Sequence, residues 1–257
     1  MGLSATTQKV IKLVEEKTGF PVHVEPDSSL PPAQLARVVV ARADLHMHRI
    51  LHRPDASADY LICHQCGFIL RLFSVPPDER FELTFSAQAD EEIRRLVERH
   101  PLIGKLPAEA AATLVKMLRD GLLNHLRSTP VGMRVDEWIA ADLPELADLQ
   151  RRALLRELED AATTLAPRFR QVSPDPIYRP TQVISAAFAQ FWAGRLNQAQ
   201  IALPYKAAGF LQAGEGLLAI WHSIPGDAGH DRQLVDAWAE KLGLANWHRW
   251  VPYSTPS

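Results

Sequence analysis

Two cysteines, Cys63 and Cys66, are all that the 257 residues contain. A pair so close together cannot staple a secreted disulfide scaffold. Long apolar runs are missing too. None reaches about 18 residues, so no membrane span is expected. The opening MGLSATTQKVIKLVEEKTG is amphipathic and lacks the apolar centre of a secretion signal. It matches a myristoylation pattern loosely, through Gly2 and Thr6, with no basic or palmitoylatable neighbour in support. An excess of one charge is also absent: 28 basic and 30 acidic residues are interspersed, for a net charge of −2. No basic stripe points to nucleic acid and no acidic tail to a basic partner. Neither a fixed-period repeat nor a low-complexity tract is visible. A cytoplasmic globular protein is the economical expectation.

What is present is an ordinary globular composition, 47% hydrophobic and 23% charged, in a chain long enough for one large domain or two packed lobes. The first 75 residues read helix, strand, strand, strand, helix. TTQKVIKLVEEKTG places Val10, Ile11 and Val14 on one face and ends at Gly19, a C-cap residue. FPVHVEP alternates and stops at Pro26, DSSLPPAQ is a turn, and LARVVVARA is a strand by its β-branched residues, although helix is tolerated there. HMHRILHRP is the next strand, bounded by Pro54. Helical spacing dominates afterwards, with a break near Pro144 and a proline-rich loop, RFRQVSPDPIYRP. The expected class is α+β: a small mixed sheet in an N-terminal lobe, residues 1–130, and a mainly helical C-terminal lobe, residues 131–257, packed as one unit.

The chemistry-bearing stretch is DYLICHQCGFILRLF, a helix opened by the caps Asp55 and Ser57. Its HQCGF has the outline of HExxH, in which two histidines one turn apart hold zinc and a glutamate takes a proton from the bound water. His64 keeps the first ligand position. Gln65 stands where the base would be, and an amide cannot accept and return that proton near neutral pH. Phe68 stands at the second ligand position and offers no lone pair. This order of elements and this helix resemble the zincin-like metallopeptidases of the ImmA/IrrE type, over about residues 5–75, and Gly67 falls where that family's motif has its glycine. The resemblance implies a scaffold that has kept one ligand, His64, and lost the roles at Gln65 and Phe68. It also implies that HMHRILH, with His46, His48, Ile50 and His52, is the edge strand over which such enzymes lay an extended substrate. The alternative is that HQCG is accidental and His64 a half-buried core histidine.

A rival metal reading takes His48, His52, Cys63 and Cys66 as H-x3-H-x10-C-x2-C, an acceptable zinc set by residue type. On a strand, however, the two histidines stand about 13 Å apart. Buried, inert thiols are the commoner fate of such cysteines. His230 and Asp231 read as a helix start, with Asp231 at the positive end of the dipole. GEG at 214–216 lacks the strand–helix setting of a phosphate loop. WHRWVPY, with Trp247, Trp250 and Tyr253, reads either as a docking surface or as a tether for the last helix.

The functional expectation is therefore a catalytically inactive, metal-free relative of a metallopeptidase, a binding or regulatory subunit whose partner is a protein or an extended peptide. One alternative is an active zinc-dependent peptidase with non-standard ligands, for example His64 with histidines of HMHRILH. The other is a protein held by structural zinc at His48, His52, Cys63 and Cys66.

Overall fold

The computed structural model describes residues 2–30, 34–42 and 44–253. Helix α1, Ala5–Thr18, starts where the Ser4 hydroxyl accepts from the Thr7 N–H, and it ends at Gly19, whose φ of 76° closes the helix in left-handed backbone. Strands β1 (Val22–Pro26), β2 (Ala36–Val39) and β3 (His48–His52) form one sheet in the order β1-β3-β2. β3 runs parallel to β1 and antiparallel to β2. LARVVVARA is thus a strand, and residues 31–33 of the expected turn lie outside the described residues. Helix α2, Ala58–Ser74, follows. Val10 and Val14 of α1, Ile50 of β3, and Ile62, Cys66 and Ile69 of α2 meet in a first core. Asp59, in the first turn of α2, accepts from the Ser4 N–H at 2.9 Å and from the Thr7 hydroxyl, which fastens the starts of the two helices together.

The rest is helical around a two-stranded ribbon. Strand β4 (Phe81–Phe85) leads to α3 (Ala87–Arg99), α4 (Ala108–Asp142), α5 (Ala147–Thr163), α6 (Pro167–Val172), α7 (Asp175–Arg195), α8 (Leu203–Ala207), α9 (Leu211–Ser223) and α10 (Asp231–Lys241). Strand β5, His248–Pro252, returns to pair antiparallel with β4. The class is α+β. Among the described residues no helix is long and apolar enough to cross a membrane. A second core gathers Leu83, Ile93, Leu126, Met133, Leu217 and Trp238.

Two sequence expectations change. The proline-rich loop is instead α6 and the start of α7. Pro167 and Pro176 occupy first turns, where a missing N–H costs nothing. α4 runs unbroken for 35 residues through Pro130, whose carbonyl accepts from Trp221 Nε1 at 3.0 Å. Burial on both sides holds it together there. The lobe boundary at residue 130 therefore falls mid-helix. Val131 and Met133 of α4 belong to the second core and Val135 and Ile139 to the first. Leu83, Ala89 and Ile93 pack with the second core, whereas Leu146 and Ala153 return to the first, so no single point along the chain separates the two cores.

Candidate functional site

Helices α2 and α4 cross at glycines. A Cβ on Gly67 would overlap the Val135 side chain, and one on Gly132 would stand 3.4 Å from His64 Nε2. With no Cβ at either place, the α2 backbone approaches α4 closely and the His64 ring settles against it. Phe68 meets that ring edge-on at 5.2 Å between centroids, and Tyr60 flanks it at 5.8 Å. Spacing puts the three on one helical face: Tyr60, His64 and Phe68 are four apart.

Below the imidazole lies Asp136 of α4, its Oδ1 3.8 Å from His64 Nε2. That carboxyl oxygen accepts from the Tyr60 hydroxyl at 2.7 Å and from Gln150 Nε2 of α5 at 3.3 Å. Asp136 is only 2% exposed. Burial pushes its carboxyl up to about 7 against the two donated hydrogen bonds, which pull the other way. Glu157 of α5, an exposed residue on the cavity wall, is also raised, by lost hydration among its neighbours and then by the negative charge of Asp136. Enclosure brings His64 down to about 4. Near neutral pH the imidazole is uncharged and buried Asp136 hovers between forms. An acidic and a basic group with such values beside a cleft mark a place where protons are held or ligands bound.

The cleft is there. A cavity of about 590 Å³ separates the two cores, within the range of small-ligand sites. His64, Gln65 and Phe68 reach it from α2, Asn124 and Arg127 from α4, and Glu157 from α5. On the remaining side it touches five consecutive residues, Gln34, Leu35, Ala36, Arg37 and Val38. Successive strand residues point to opposite faces, so a space that meets all five runs along the edge of β2 and not over one face. The Arg53 N–H donates to the Leu35 carbonyl at 2.8 Å. By antiparallel alternation residues 35, 37 and 39 bond β3, while Ala36 and Val38 direct their N–H and C=O groups outward.

That geometry corrects the edge-strand expectation. β3, with His48, Ile50 and His52, is the central strand, its backbone engaged by β1 on one side and β2 on the other. Ile50 is buried in the first core, and His46 is an exposed residue before the strand. The edge strands are β1 and β2, and it is β2 that borders the cavity, which sequence alone did not single out because LARVVVARA names a strand and not its position.

The four-residue zinc reading is not assembled either. His48 Nδ1 accepts from the Ala41 N–H at 3.1 Å, and its Nε2 lies 3.0 Å from the Thr18 hydroxyl. Burial lowers it to about 4, so it is neutral and donates from Nε2 to Thr18. His52 Nδ1 faces the Arg53 carbonyl at 2.9 Å. Cys63 and Cys66 are buried free thiols, both held protonated by burial, Cys63 with a value of about 11. Among the described residues no group of three or more histidine, cysteine, aspartate or glutamate side chains is placed to hold a metal ion. His64 and the histidines of HMHRILH do not converge.

Several cavity residues carry little sequence signal. Asp136 sits in VDEWIAAD, where an aspartate at helical spacing reads as solvent-facing, and Arg127 and Glu157 sit in equally ordinary charged helices. His230 and Asp231 fall as expected at the start of α10, but Asp231 also accepts from Arg71 at 2.7 Å and Arg134 at 3.0 Å. Trp247 and Tyr253 are buried, and the Tyr253 hydroxyl donates to the Ala41 carbonyl. WHRWVPY is a strand tying the two cores together. Comparison with protein-family models, curated proteins and solved structures finds no match to this chain.

Proposed function

We propose that this protein is a non-catalytic, metal-independent binder of extended peptides, built on a zincin-like scaffold and acting as a binding or regulatory subunit. One observation carries the reading: the interlobe cavity runs along the free edge of β2, where Ala36 and Val38 present backbone donors and acceptors to any chain laid beside them. Support for a spent catalytic site comes from the helix opposite. Gln65 cannot serve as a proton acceptor, and Phe68 covers the His64 ring where a second imidazole would stand. A hydrolytic alternative draws on Glu157, a carboxyl on the cavity wall whose proton affinity is raised by lost hydration and the charge of Asp136.

Equilibrium dialysis against a randomised library of tri- to hexapeptides, read by mass spectrometry, tests the proposal. A subset should be retained intact by the wild type and lost in Val38→Pro. That proline deletes an outward N–H and leaves the bonds to β3 in place. No retained subset, or equal retention by a folded Val38→Pro variant, contradicts it. Shortened products appearing with the wild type and not with Glu157→Gln select the hydrolase.

A further inference from the structure

The cavity changes face as it follows β2. From Gln34 to Val38 it touches every residue, and beyond Val38 it touches Val40 and not Val39. Val38 and Val40 both pack against the first core, while Val39 points to the other side of the sheet. Their face also carries Ile50, the partner of Val38, and α2 covers it with Ile62, Cys66 and Ile69. At this end the space therefore lies between the inward face of β2 and α2. The last turn of α2 is fastened beside the end of the strand. The Ala41 N–H donates to His48 Nδ1 at 3.1 Å, and the Phe73 ring meets the same imidazole edge-on at 5.4 Å between centroids. Leu72 and Val75 flank Phe73 in sequence and turn to the cavity, and Phe68 lies one turn before Leu72. Leu72 and Val75 are half-buried, and among the described residues neither core includes them. Their apolar surface is left to the cavity.

Residues opposite one another in neighbouring strands share a face of the sheet. A chain added along β2 thus turns alternate side chains inward, beside Val38 and Val40, and the one between them outward. We infer that the cavity selects extended peptides with two apolar side chains two residues apart, held against Phe68, Leu72 and Val75. Each such side chain covers apolar surface of α2 and leaves water in doing so. The intervening residue is unselected, because its side chain points away from α2. This inference rests on the peptide-binding reading and adds the class of peptide to it.

The test uses hexapeptides of one composition, two leucines among four serines and glutamines, that differ only in spacing. Leucines two apart share one face of an extended chain, whereas adjacent leucines, or leucines three apart, fall on opposite faces. In equilibrium dialysis the wild type should retain the two-apart set roughly tenfold better than either other set, the effect of burying one more aliphatic side chain. Leu72→Ser with Val75→Ser should cut that preference roughly threefold or more, and Leu72→Ser alone should lower it in the same sense. Circular dichroism confirms that each variant is folded. Equal retention of the three sets overturns this inference and leaves the peptide-binding reading standing. A preference unchanged in the folded variants does the same. Retention of none of the sets, with nothing retained from the randomised library either, overturns both.

Discussion

Tyr60 donates its hydroxyl hydrogen to Asp136 over 2.7 Å, joining α2 to α4 across 76 residues of sequence. The bond fixes the carboxyl beside His64 Nε2 and makes Asp136 one of the groups through which pH acts on the site. Its ordinary value is 3.8, and burial raises it to about 7. Between those values the folded chain keeps a proton that the unfolded chain has released. The group's contribution to stability therefore falls as pH rises from about 4 to about 7, and levels off above that. Asp136→Asn keeps the acceptor for Tyr60 and removes the titration. Urea denaturation should show the variant gaining on the wild type through this window, by up to about 4 kcal/mol. A constant difference between pH 4 and 8 contradicts the assignment. His48, His64 and His125 act oppositely: burial brings each to about 4, so their contributions are whole above about 6.5 and lost as pH falls toward 4. Comparing variant with wild type cancels His48 and His125, which do not touch Asp136; His64, 3.8 Å from it, titrates below the window that Asp136 governs.

Gly67 tests the helix crossing. Gly67→Ala places a methyl against Val135 and forces α2 and α4 apart, with an expected loss of about 1–3 kcal/mol. Val135→Ala removes the obstructing methyls, so the double variant should lose less than the sum of the two single losses. Strict additivity in denaturant melts contradicts the contact.

Asp231 holds two cations, Arg71 of α2 and Arg134 of α4, and so ties α10 to both cores. Arg134 is 5% exposed. Asp231→Asn leaves two guanidiniums facing each other with their neutralising charge gone, at an expected cost of about 3 kcal/mol. A loss under about 1 kcal/mol would class the network with surface ion pairs.

Local features of the fold were legible in the sequence, and distant ones were not. Gly19 ends α1, Pro26 ends β1, and the apolar run after Ser57 is α2, because each depends on neighbours within a turn or two. β4 and β5 escaped notice because each five-residue strand is stabilised by a partner more than 160 residues away. Strand order escaped for the same reason. HRILH and ARVV are both short and β-branched, and which of them lies inside the sheet depends on β1 arriving beside His48. For the site, Tyr60, His64 and Phe68 form a readable four-residue stripe. Asp136, Glu157 and Arg127 become a site only when three helices bring them to one space.

The degenerate motif is open to repair. Phe68→His with Gln65→Glu returns a second imidazole and a carboxylate one turn apart on α2, above Asp136. Purified from zinc-supplemented medium, this variant is expected to carry more zinc than the wild type. Equal zinc in both argues that the α2 face is not a former metal site.

The most direct test of the account measures metal content and peptide retention on the same wild-type preparation, before and after chelation. The account expects far less than one zinc per chain by elemental analysis, and unchanged retention of the library peptides after chelator treatment. About one zinc per chain, with retention lost on chelation and restored by added zinc, would contradict it.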